Sequence, residues 1–284
     1  MNIVVCVKQV PDTNEVKIDQ KTNNLVREGV PSILNPYDRN SVEMALQLRE
    51  QSGGKVTVVS MGPLQAQEAL QYCLEMGADE AILLSDRAAG GSDTLATGYI
   101  LSRLIESMKY DLILCGNEAI DGCTGQVGPI IAGNLNLKQF TYVRDITLKD
   151  GKLYIQRDVG REMEVYEAEL PAVACVLKDV NEPREAVPVQ RKVKVISADG
   201  LGLDLKRVGN SGSPTKVVHI QMSDARAKSY FTVDDSLSWE DRIRVIINGG
   251  IVNRQKVELW RGTPEELAGR ITSCEEVARF VENV

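Results

Sequence analysis

The sequence predicts an α/β fold: a parallel sheet with helices on both faces, an added β-hairpin and a C-terminal extension. Two observations lead to this prediction. In the first half of the chain, short aliphatic runs alternate with segments of helical period, which is the pattern of parallel strands joined by crossover helices. From residue 142 the alternation stops, and extended segments with turn residues follow. Such segments are typical of antiparallel strands.

The first four strands are predicted from aliphatic runs, because strands that are covered on both faces form nearly continuous hydrophobic stretches. These runs are residues 2–8, 55–60, 80–85 and 111–115. Helices are predicted where apolar residues recur on one side of a segment. These segments are residues 40–51, 63–76 and 93–108.

A β-hairpin is predicted between residues 143 and 158, because two extended segments flank a turn that contains Asp150-Gly151. Residues 163–169 could add another extended piece, and 172–177 form a final apolar strand. The antiparallel part of the protein is therefore expected to follow the parallel part along the chain.

The residues after 177 lose the alternation of strand-like and helix-like segments and differ in composition. Residues 185–196 are extended and rich in valine and basic residues, and 197–216 are rich in Gly and Ser. A helix is predicted from Thr263, which would cap it, with Pro264 at the first helical position. This long region has no evident core of its own, which suggests an arm that packs on another protein. The alternative is a small α+β subdomain that packs on its own chain.

Composition excludes several classes of protein. The net charge is −7 and the pI is about 5.0, so the chain lacks the basic excess with which proteins bind nucleic acid. No run approaches the roughly 18 apolar residues of a membrane span, and the N-terminus enters a strand without a signal-peptide pattern. We therefore expect a cytoplasmic protein that binds neither nucleic acid nor membrane.

The nucleophilic residues give no sign of a catalytic apparatus. The six cysteines are scattered without a CxxC pair, and three of them lie in apolar strands, which favours reduced, buried thiols over disulfides or a metal site. His219 is the only histidine and lies far from every glycine-rich turn. An α/β hydrolase or transferase that acts alone is disfavoured, because no nucleophile-and-base pair stands out.

Residues 116–129 form a glycine-rich polar turn after the strand at 111–115, and a helical segment follows. Such a turn lets backbone N–H groups approach a phosphate at the positive end of the next helix, so a nucleotide is the first hypothesis. Similar turns occur in α/β proteins without a ligand. A second turn, 90–98, opens a helix with a Ser-Asp-Thr cluster that suits a diphosphate. Simple N-capping by Ser92 or Asp93 is the alternative.

Eight short motifs follow one another along the chain. They are Val7-Lys-Gln-Val-Pro-Asp12, Asn35-Pro-Tyr-Asp38, Ser60-Met-Gly-Pro63, Met76-Gly-Ala-Asp79, Ser92-Asp-Thr-Leu-Ala-Thr-Gly98, Cys115-Gly-Asn-Glu-Ala-Ile-Asp121, Asn181-Glu-Pro-Arg184 and Gly212-Ser-Pro-Thr-Lys216. Each motif is modest, but their order is specific. Together they resemble the β subunit of electron transfer flavoproteins, over residues 1–217.

The resemblance implies a Rossmann-like nucleotide-binding domain over residues 1–195 and a C-terminal arm, 196–284, that packs on an α subunit carrying FAD. The heterodimer would pass electrons to or from an acyl-CoA dehydrogenase or a related flavoprotein dehydrogenase. This chain would not be a stand-alone enzyme. A nucleotide-binding regulatory or structural module without electron transfer is the alternative from another class.

The resemblance also implies a nucleotide pocket at the carboxyl ends of the strands, where ligands collect in parallel sheets. The residues carried over are Cys6, Asn35, Pro36, Tyr37, Asp38, Met61, Gly116, Asn117, Ala119, Asp121, Gly122, Cys123, Thr124, Gly125, Gln126 and Val127, and the second turn adds Gly90, Ser92, Asp93, Thr94 and Thr97. Asp121 could accept from ribose hydroxyls or cap a helix, and Asn35 could contact an adenine edge. N–H groups near residues 125–128 could face phosphate.

The same pocket holds AMP in simple members of the family and a second FAD in electron-bifurcating members, which also use NADH. Residues 121–129 resemble the bifurcating form, and the 90–98 turn suits the diphosphate that FAD has and AMP lacks. Cys123 departs from that form, which has Asp there. FAD is thus favoured, and AMP stays open. NADH would deliver a hydride to this FAD, which would send one electron towards the α-subunit flavin and the other to a low-potential acceptor.

A partner-recognition loop is implied at residues 181–194, with Arg184, Val187, Val189 and Arg191 as its candidate contacts. The loop is several residues shorter than the family's loop and lacks the exposed leucine at its tip. Val187 or Val189 is expected to replace that leucine, and the dehydrogenase could differ from an ordinary acyl-CoA dehydrogenase. Asp158 aligns with a family acidic residue that faces an arginine near the α-subunit flavin, although an exposed hairpin acid is usually only solvated.

Overall fold

The computed structural model describes residues 1–12, 31–216, 237–247 and 262–272. The chain divides into two compact units, Met1–Ile220 and Gln221–Val284, and each is described by itself. His219 and Cys274 lie outside the described residues. None of the helices in these ranges combines the length and the apolar content that a bilayer span requires.

Strands and helices alternate in the first part of the chain. The described residues contain the strands β1 (Asn2–Cys6), β2 (Gln9–Pro11), β3 (Ser32–Leu34), β4 (Lys55–Met61), β5 (Glu80–Leu84), β6 (Leu112–Gly116), β7 (Lys138–Lys149), β8 (Lys152–Asp158), β9 (Met163–Ala168), β10 (Ala172–Val176) and β11 (Lys194–Ile196). Their α-helices are α1 (Pro36–Ser52), α2 (Gln67–Met76), α3 (Thr94–Glu106), α4 (Val127–Leu135), α5 (Gly209–Gly212), α6 (Trp239–Ile247) and α7 (Pro264–Thr272). The predicted α/β class is confirmed.

Nine strands form one sheet in the order β11-β5-β4-β1-β6-β10-β7-β8-β9. The strands from β11 to β7 in this order are parallel, and β8 and β9 continue antiparallel from β7 as the predicted hairpin and added strand. From β1 the chain moves outwards to β4 and β5 and then returns through α3 to β6, on the other side of β1. The carboxyl ends of β1 and β6 therefore flank a topological switch point, where α/β sheets bind ligands.

Helices cover both faces of the sheet, as predicted. On one face, Leu46 of α1 belongs to the same buried core as Val5 of β1. On the other face, Ile100 of α3 and Ile131 of α4 share a core with Val4. Successive side chains of a strand point to opposite faces, which is why neighbouring residues of β1 contribute to different cores.

Two helical segments begin elsewhere than predicted. α1 starts at Pro36 rather than at residue 40, because proline at the first helical position has a suitable φ and lacks an N–H that would need a partner. Tyr37 and Asp38 thus belong to the first helical turn. The segment predicted as one helix over 63–76 is a 3₁₀ turn at Leu64–Ala66 followed by α2.

The sheet extends beyond residue 195, where the sequence analysis placed the end of the domain. Strand β11 straddles that position and pairs with β5, with Val195 opposite Leu83. Further along, Val208 is buried in the core on the α3 side. Residues 196–216 accordingly belong to the first compact unit. The packing of the later residues on an α subunit stays a prediction.

The helix predicted near the C-terminus is α7, which begins at Pro264 after Thr263. The Glu266 N–H donates to Thr263 Oγ1 at 3.3 Å, and Glu266 Oε2 accepts from the Thr263 N–H at 3.0 Å. This reciprocal pair is a capping box, which satisfies N–H groups that the start of a helix leaves without helical partners.

Candidate functional site

A cavity of 1030 Å³ opens at the carboxyl ends of β1, β4, β5 and β6. The segments that follow these four strands form its walls. Most of the predicted site residues line it: Cys6, Asn35, Asp38, Met61, Gly90, Ser92, Asp93, Thr94, Thr97, Gly116, Asn117, Ala119, Gly122, Cys123, Thr124, Gly125, Gln126 and Val127.

Pro36, Tyr37 and Asp121 are predicted site residues that do not line the cavity. The wall also contains residues that the sequence analysis missed, among them Lys8, Leu64 and Arg87. Lys8 ends a predicted strand, and Leu64 and Arg87 each follow one by a few residues. The strand ends alone could therefore have indicated them, because the loops there meet at one edge of a parallel sheet.

Asp38 joins the ends of the two central strands. Its carboxylate accepts from the Lys8 N–H at 2.7 Å and, through the other oxygen, from the Gly116 N–H at 3.1 Å. A Cβ at position 116 would overlap Asp38 Oδ1, so glycine is needed for this approach. Burial raises the pKa of Asp38 to about 7, although these N–H groups favour the charged form. Asp38 therefore holds the two sides of the switch point together.

Replacing Asp38 by Asn is expected to remove a pH dependence of stability. The folded chain keeps this carboxyl protonated up to about pH 7, whereas its ordinary pKa is 3.8. The stabilisation is therefore complete below that ordinary value and is lost as the pH rises through about 7. Urea unfolding of both proteins measures how far the free energy of unfolding of the parent exceeds that of the variant. This excess should fall by about 2–4 kcal/mol as the pH rises from below the ordinary pKa of 3.8 to above about 7. Parallel curves would contradict the raised pKa.

The start of α1 also holds the turn after β6. The Asn35 amide nitrogen donates to the Glu118 carbonyl at 2.9 Å, and Asn35 Oδ1 accepts from the Ile120 N–H at 3.3 Å. Tyr37 donates to Glu118 Oε1 at 2.9 Å, and burial together with this bond raises the pKa of Tyr37 to about 12. The sequence analysis expected Asn35 to contact an adenine edge. In the structure its buried amide pairs with the backbone of the turn, and the adenine contact stays a prediction.

Asp121 forms an ion pair with Lys8. Both carboxylate oxygens lie 2.6 Å from Lys8 Nζ, and the Asp121 side chain is 7% exposed. The contact with a ribose hydroxyl that the sequence analysis expected of Asp121 stays a prediction. The residue does not cap a helix, since α4 begins at Val127 with Gln126 at the N-cap position. Asp121 is thus a tether between the turn and the end of β1.

The turn itself contains two residues in the left-handed backbone region, Cys123 with φ of 50° and Gly125 with φ of 61°. The five described cysteines carry free thiols, and Cys123 is the exposed one among them. Four of these five cysteines are buried, as the sequence analysis expected of the thiols, and Cys123 is the exception. Cys123 therefore places an accessible thiol in the wall of the cavity.

Gly128 lets α4 begin directly on the sheet. Cys6, Cys115 and Cys175 are partners in register on β1, β6 and β10, and they lie in the core on the α3 side. A Cβ at position 128 would overlap the Cys175 Sγ and would lie 3.5 Å from the Cys115 Cβ. Burial raises the pKa of the Cys175 thiol well above its usual range, so it stays neutral. The first turn of α4 thus rests on a row of thiols.

The N-termini of α3 and α4 lie side by side in the cavity wall. The two helices approach so closely that a Cβ at Gly98 would overlap the side chain of Ile130. At their starts, Thr94 Oγ1 donates to Gln126 Oε1 at 2.8 Å. Asp93 caps α3, as the capping alternative proposed. The aligned peptide dipoles of both helices give this wall a partial positive charge.

Charged side chains hold the predicted recognition loop against its own chain. Arg184 Nε and Nη2 donate to the two carboxylate oxygens of Glu43 at 2.9 and 3.0 Å, and Arg184 also pairs with Glu50. Burial alone would raise the pKa of Glu43, but the bonds from Arg184 outweigh burial and lower it. Arg191 donates to the Ala78 carbonyl at 2.7 Å. Both arginines therefore support the loop from within.

The two valines of the loop differ in exposure. Val187 is 64% exposed, and its N–H donates to the Glu75 carbonyl at 2.9 Å. Val189 packs on the core at the α1 side of the sheet. Val187 is thus the apolar side chain that the loop presents to the surroundings. Asp158, at the end of the hairpin, pairs with Arg144 at 3.5 Å.

Comparison with known proteins identifies the family of this chain. A family model described as the electron transfer flavoprotein domain matches residues 22–200. The chain belongs to the electron transfer flavoprotein family. Its place among the β subunits follows from a relative named electron transfer flavoprotein subunit beta, from Thermoanaerobacterium thermosaccharolyticum. That relative is 48% identical over 240 residues, which cover 82% of this chain and 92% of the relative.

Two further relatives have other names. The caffeyl-CoA reductase-Etf complex subunit CarD of Acetobacterium woodii is 47% identical over 225 residues, which cover 76% of this chain and 86% of CarD. Protein FixA of Azotobacter vinelandii is 40% identical over 242 residues, which cover 80% of this chain and 86% of FixA. The family, and its general role in electron transfer, is therefore established for this chain.

Proposed function

We propose that this chain is the β subunit of a heterodimeric electron transfer flavoprotein and that its cavity binds FAD. The size of the cavity, 1030 Å³, carries the proposal for FAD. Ligand pockets commonly measure about 300–1000 Å³, so a mononucleotide would leave much of this cavity empty, whereas a dinucleotide suits its size. A further FAD would belong to the α subunit.

The cavity wall contains the groups that a diphosphate requires. The turn after β6 and the turn before α3 both line the cavity. Helix N-termini favour anions, although at α3 the Asp93 carboxylate already accepts from the Ala96 N–H. Arg87 adds a basic side chain to the wall, and Lys8 adds another whose ammonium is paired with Asp121. Met61 and Leu64 supply apolar surface of the kind that an aromatic ring requires. These residues would hold the cofactor and shield it from water.

A bound flavin supplies hydride and single-electron chemistry, and the protein tunes and spaces it. Because residues 121–129 resemble the bifurcating form of the family, we propose that NADH is the hydride donor and that electron bifurcation follows. The acceptors would be the α-subunit FAD and a low-potential carrier. The partner dehydrogenase would be an acyl-CoA dehydrogenase or a related flavoprotein. The relative CarD, named as part of a caffeyl-CoA reductase-Etf complex, supports such a partner.

Val187 is the residue through which we propose that the dehydrogenase docks. Its side chain is exposed, whereas Val189 is packed and the two arginines bind their own chain. The loop around Val187 is also anchored to α1 and α2. Because the loop is already ordered, docking through Val187 would require little further loss of conformational entropy.

A simple electron carrier with AMP in the cavity is the second candidate. Two observations favour it. Cys123 brings a thiol where the bifurcating form has a carboxylate, and the Ser92 hydroxyl is already engaged with the Ala89 carbonyl at 2.7 Å. Neither observation reduces the volume of the cavity. FAD therefore remains the better match to the space.

The cofactor content of the heterodimer decides between these candidates. The chain is produced together with its α subunit, and the nucleotides released by denaturation are separated and quantified. About two FAD molecules per heterodimer are expected under our proposal. One FAD with one AMP would reject the second flavin and bifurcation. A heterodimer without flavin would favour a regulatory or structural nucleotide-binding module.

The exposed thiol of Cys123 gives a site-specific test of occupancy. In a Cys274→Ser background, a bulky maleimide should label Cys123 fastest, because the other four described cysteines are buried. Saturating FAD is expected to slow this labelling by about ten-fold or more, since the thiol lies in the cavity wall. The matched control is Cys123→Ser in the same background, which should show only slow labelling. Unchanged labelling in the presence of FAD would place the cofactor elsewhere.

A further inference from the structure

The motif Gly212-Ser-Pro-Thr-Lys216 has no role in the cavity wall. Its first four residues end a segment, residues 209–215, that we call the clamp. The clamp lies against the turn at residues 90–93, which does line the cavity. A long stretch of sequence separates the two, so the local pattern gives no hint of this contact.

Asp93 is the centre of the contact. One of its carboxylate oxygens accepts from the Ala96 N–H at 3.0 Å and so caps α3, and the other accepts from the Thr215 N–H at 2.9 Å. The Asp93 N–H donates to Ser213 Oγ at 2.8 Å. Burial alone would raise the pKa of Asp93, but the bonds from the Ala96 and Thr215 N–H groups outweigh burial and lower it. The same residue thus serves the helix and the clamp.

Ser213 is the buried partner in this contact. It is 2% exposed, and its hydroxyl donates to the Gly209 carbonyl at 2.7 Å while it accepts from Asp93. Its hydroxyl therefore connects the two ends of the clamp with the start of α3. Alanine at this position would leave the Asp93 N–H without its acceptor inside the protein.

Close backbone approach adds a second connection. The Gly209 N–H donates to Ser92 Oγ at 2.9 Å, and Gly209 has φ of 64°. A Cβ at position 209 would overlap the Ala88 carbonyl oxygen. At Gly91, with φ of 74°, a Cβ would lie 3.1 Å from the Asn210 Cβ. The clamp and the turn are thus fitted to each other on both sides.

We propose that Ser213 and the rest of the clamp are positioning elements that hold the turn at residues 90–93 in the conformation that receives a diphosphate. By doing so they set the preference of the cavity for FAD over AMP. This inference rests on the proposed function. The clamp acts through Ser92 and Asp93, because its own residues do not line the cavity. The turn after β6 is held separately, by Asn35, Lys8 and Asp38, so a mononucleotide bound there would not depend on the clamp.

The test compares two ligands in Ser213→Ala. The full-length chain, in complex with its α subunit and in the Cys274→Ser background, is freed of exchangeable nucleotide, and FAD or AMP is added at increasing concentration. The concentration that halves the labelling of Cys123 reports the affinity in this cavity. Ser213→Ala is expected to weaken FAD binding by about ten-fold and AMP binding by less than about two-fold. Gly209→Ala, which displaces the clamp from the turn, should act in the same direction and replaces the first variant if that one does not fold.

Asp204→Ala is the matched control. Asp204 caps the 3₁₀ turn at Leu205–Arg207 just before the clamp and does not line the cavity. It should leave both affinities unchanged. An equal loss for FAD and AMP in Ser213→Ala, or no loss for either, would overturn the positioning role. Failure of the parent protein to bind FAD would instead reject the proposed function, so the two results are distinguishable.

Discussion

Arg184→Met is expected to lower the free energy of unfolding by about 3 kcal/mol, because the buried carboxylate of Glu43 loses its cationic partner and keeps only two neutral donors, Gln47 Nε2 and the backbone N–H of residue 184. Glu43 is 4% exposed in the side chain, and both of its oxygens accept from Arg184. Methionine preserves the length of the side chain but supplies no donor. Thermal or urea unfolding of the full chain measures the loss. The same variant should weaken docking of the dehydrogenase, since the loop that carries Val187 loses its anchor.

Two controls separate this effect from a general loss of charge. Glu50→Ala removes the other partner of Arg184. The Glu50 side chain is 53% exposed, so the loss in the free energy of unfolding should be less than about 1 kcal/mol. The double variant Glu43→Gln with Arg184→Met removes the buried charge as well and should recover much of the stability. If Arg184→Met and Glu50→Ala are equally mild, the pair with Glu43 contributes no more than a surface ion pair.

Gly128→Ala is expected to lower stability by about 2–3 kcal/mol and to abolish nucleotide binding. The added Cβ would overlap the Cys175 Sγ, which is buried and has Cys115 beside it on the next strand. The start of α4 must then move away from the sheet. Because that start forms part of the cavity wall, the N–H groups of the turn would lose their positions. Unfolding curves and protection of Cys123 by FAD measure the two effects.

Gly133→Ala is the matched control for this substitution. Gly133 lies in the same helix, and a Cβ there would meet nothing within 4 Å. Alanine should therefore leave FAD binding intact and stabilise the helix by about 0.5–1 kcal/mol. Normal FAD binding by Gly128→Ala would show that α4 can begin elsewhere without harm to the cavity.

Much of the fold could be predicted from the sequence because its strands are buried on both faces. Such strands appear in the sequence as nearly uninterrupted aliphatic runs, as residues 111–115 illustrate. The edge strand β11 could not be recognised in this way. It has three residues, of which Lys194 and Val195 are exposed, so neither length nor periodicity distinguishes it from a loop. Its place in the sheet depends on pairing with β5, which is distant in sequence.

The site could be located from the sequence, but its internal contacts could not. Strand ends and glycine-rich turns indicate where a ligand collects, and most residues chosen on that basis line the cavity. The carboxylates of Asp121 and Asp93 accept from Lys8 Nζ and from the Thr215 N–H, and each donor lies more than a hundred residues away along the chain. The local sequence shows that a turn contains a carboxylate. It does not show whether another part of the chain donates a hydrogen bond to that carboxylate.

The position of β10 in the sheet has a consequence for the synthesis of the protein. β10 follows β7, β8 and β9 in sequence, yet it lies between β6 and β7 and carries the Cys175 thiol on which α4 rests. At about 5–20 residues per second, the nascent chain therefore keeps one edge of β6 open for several seconds after that strand is made. An open edge of this kind can pair with other chains. We expect the growing polypeptide to rely on chaperones during this interval and to acquire its cofactor only after β10 has emerged from the ribosome.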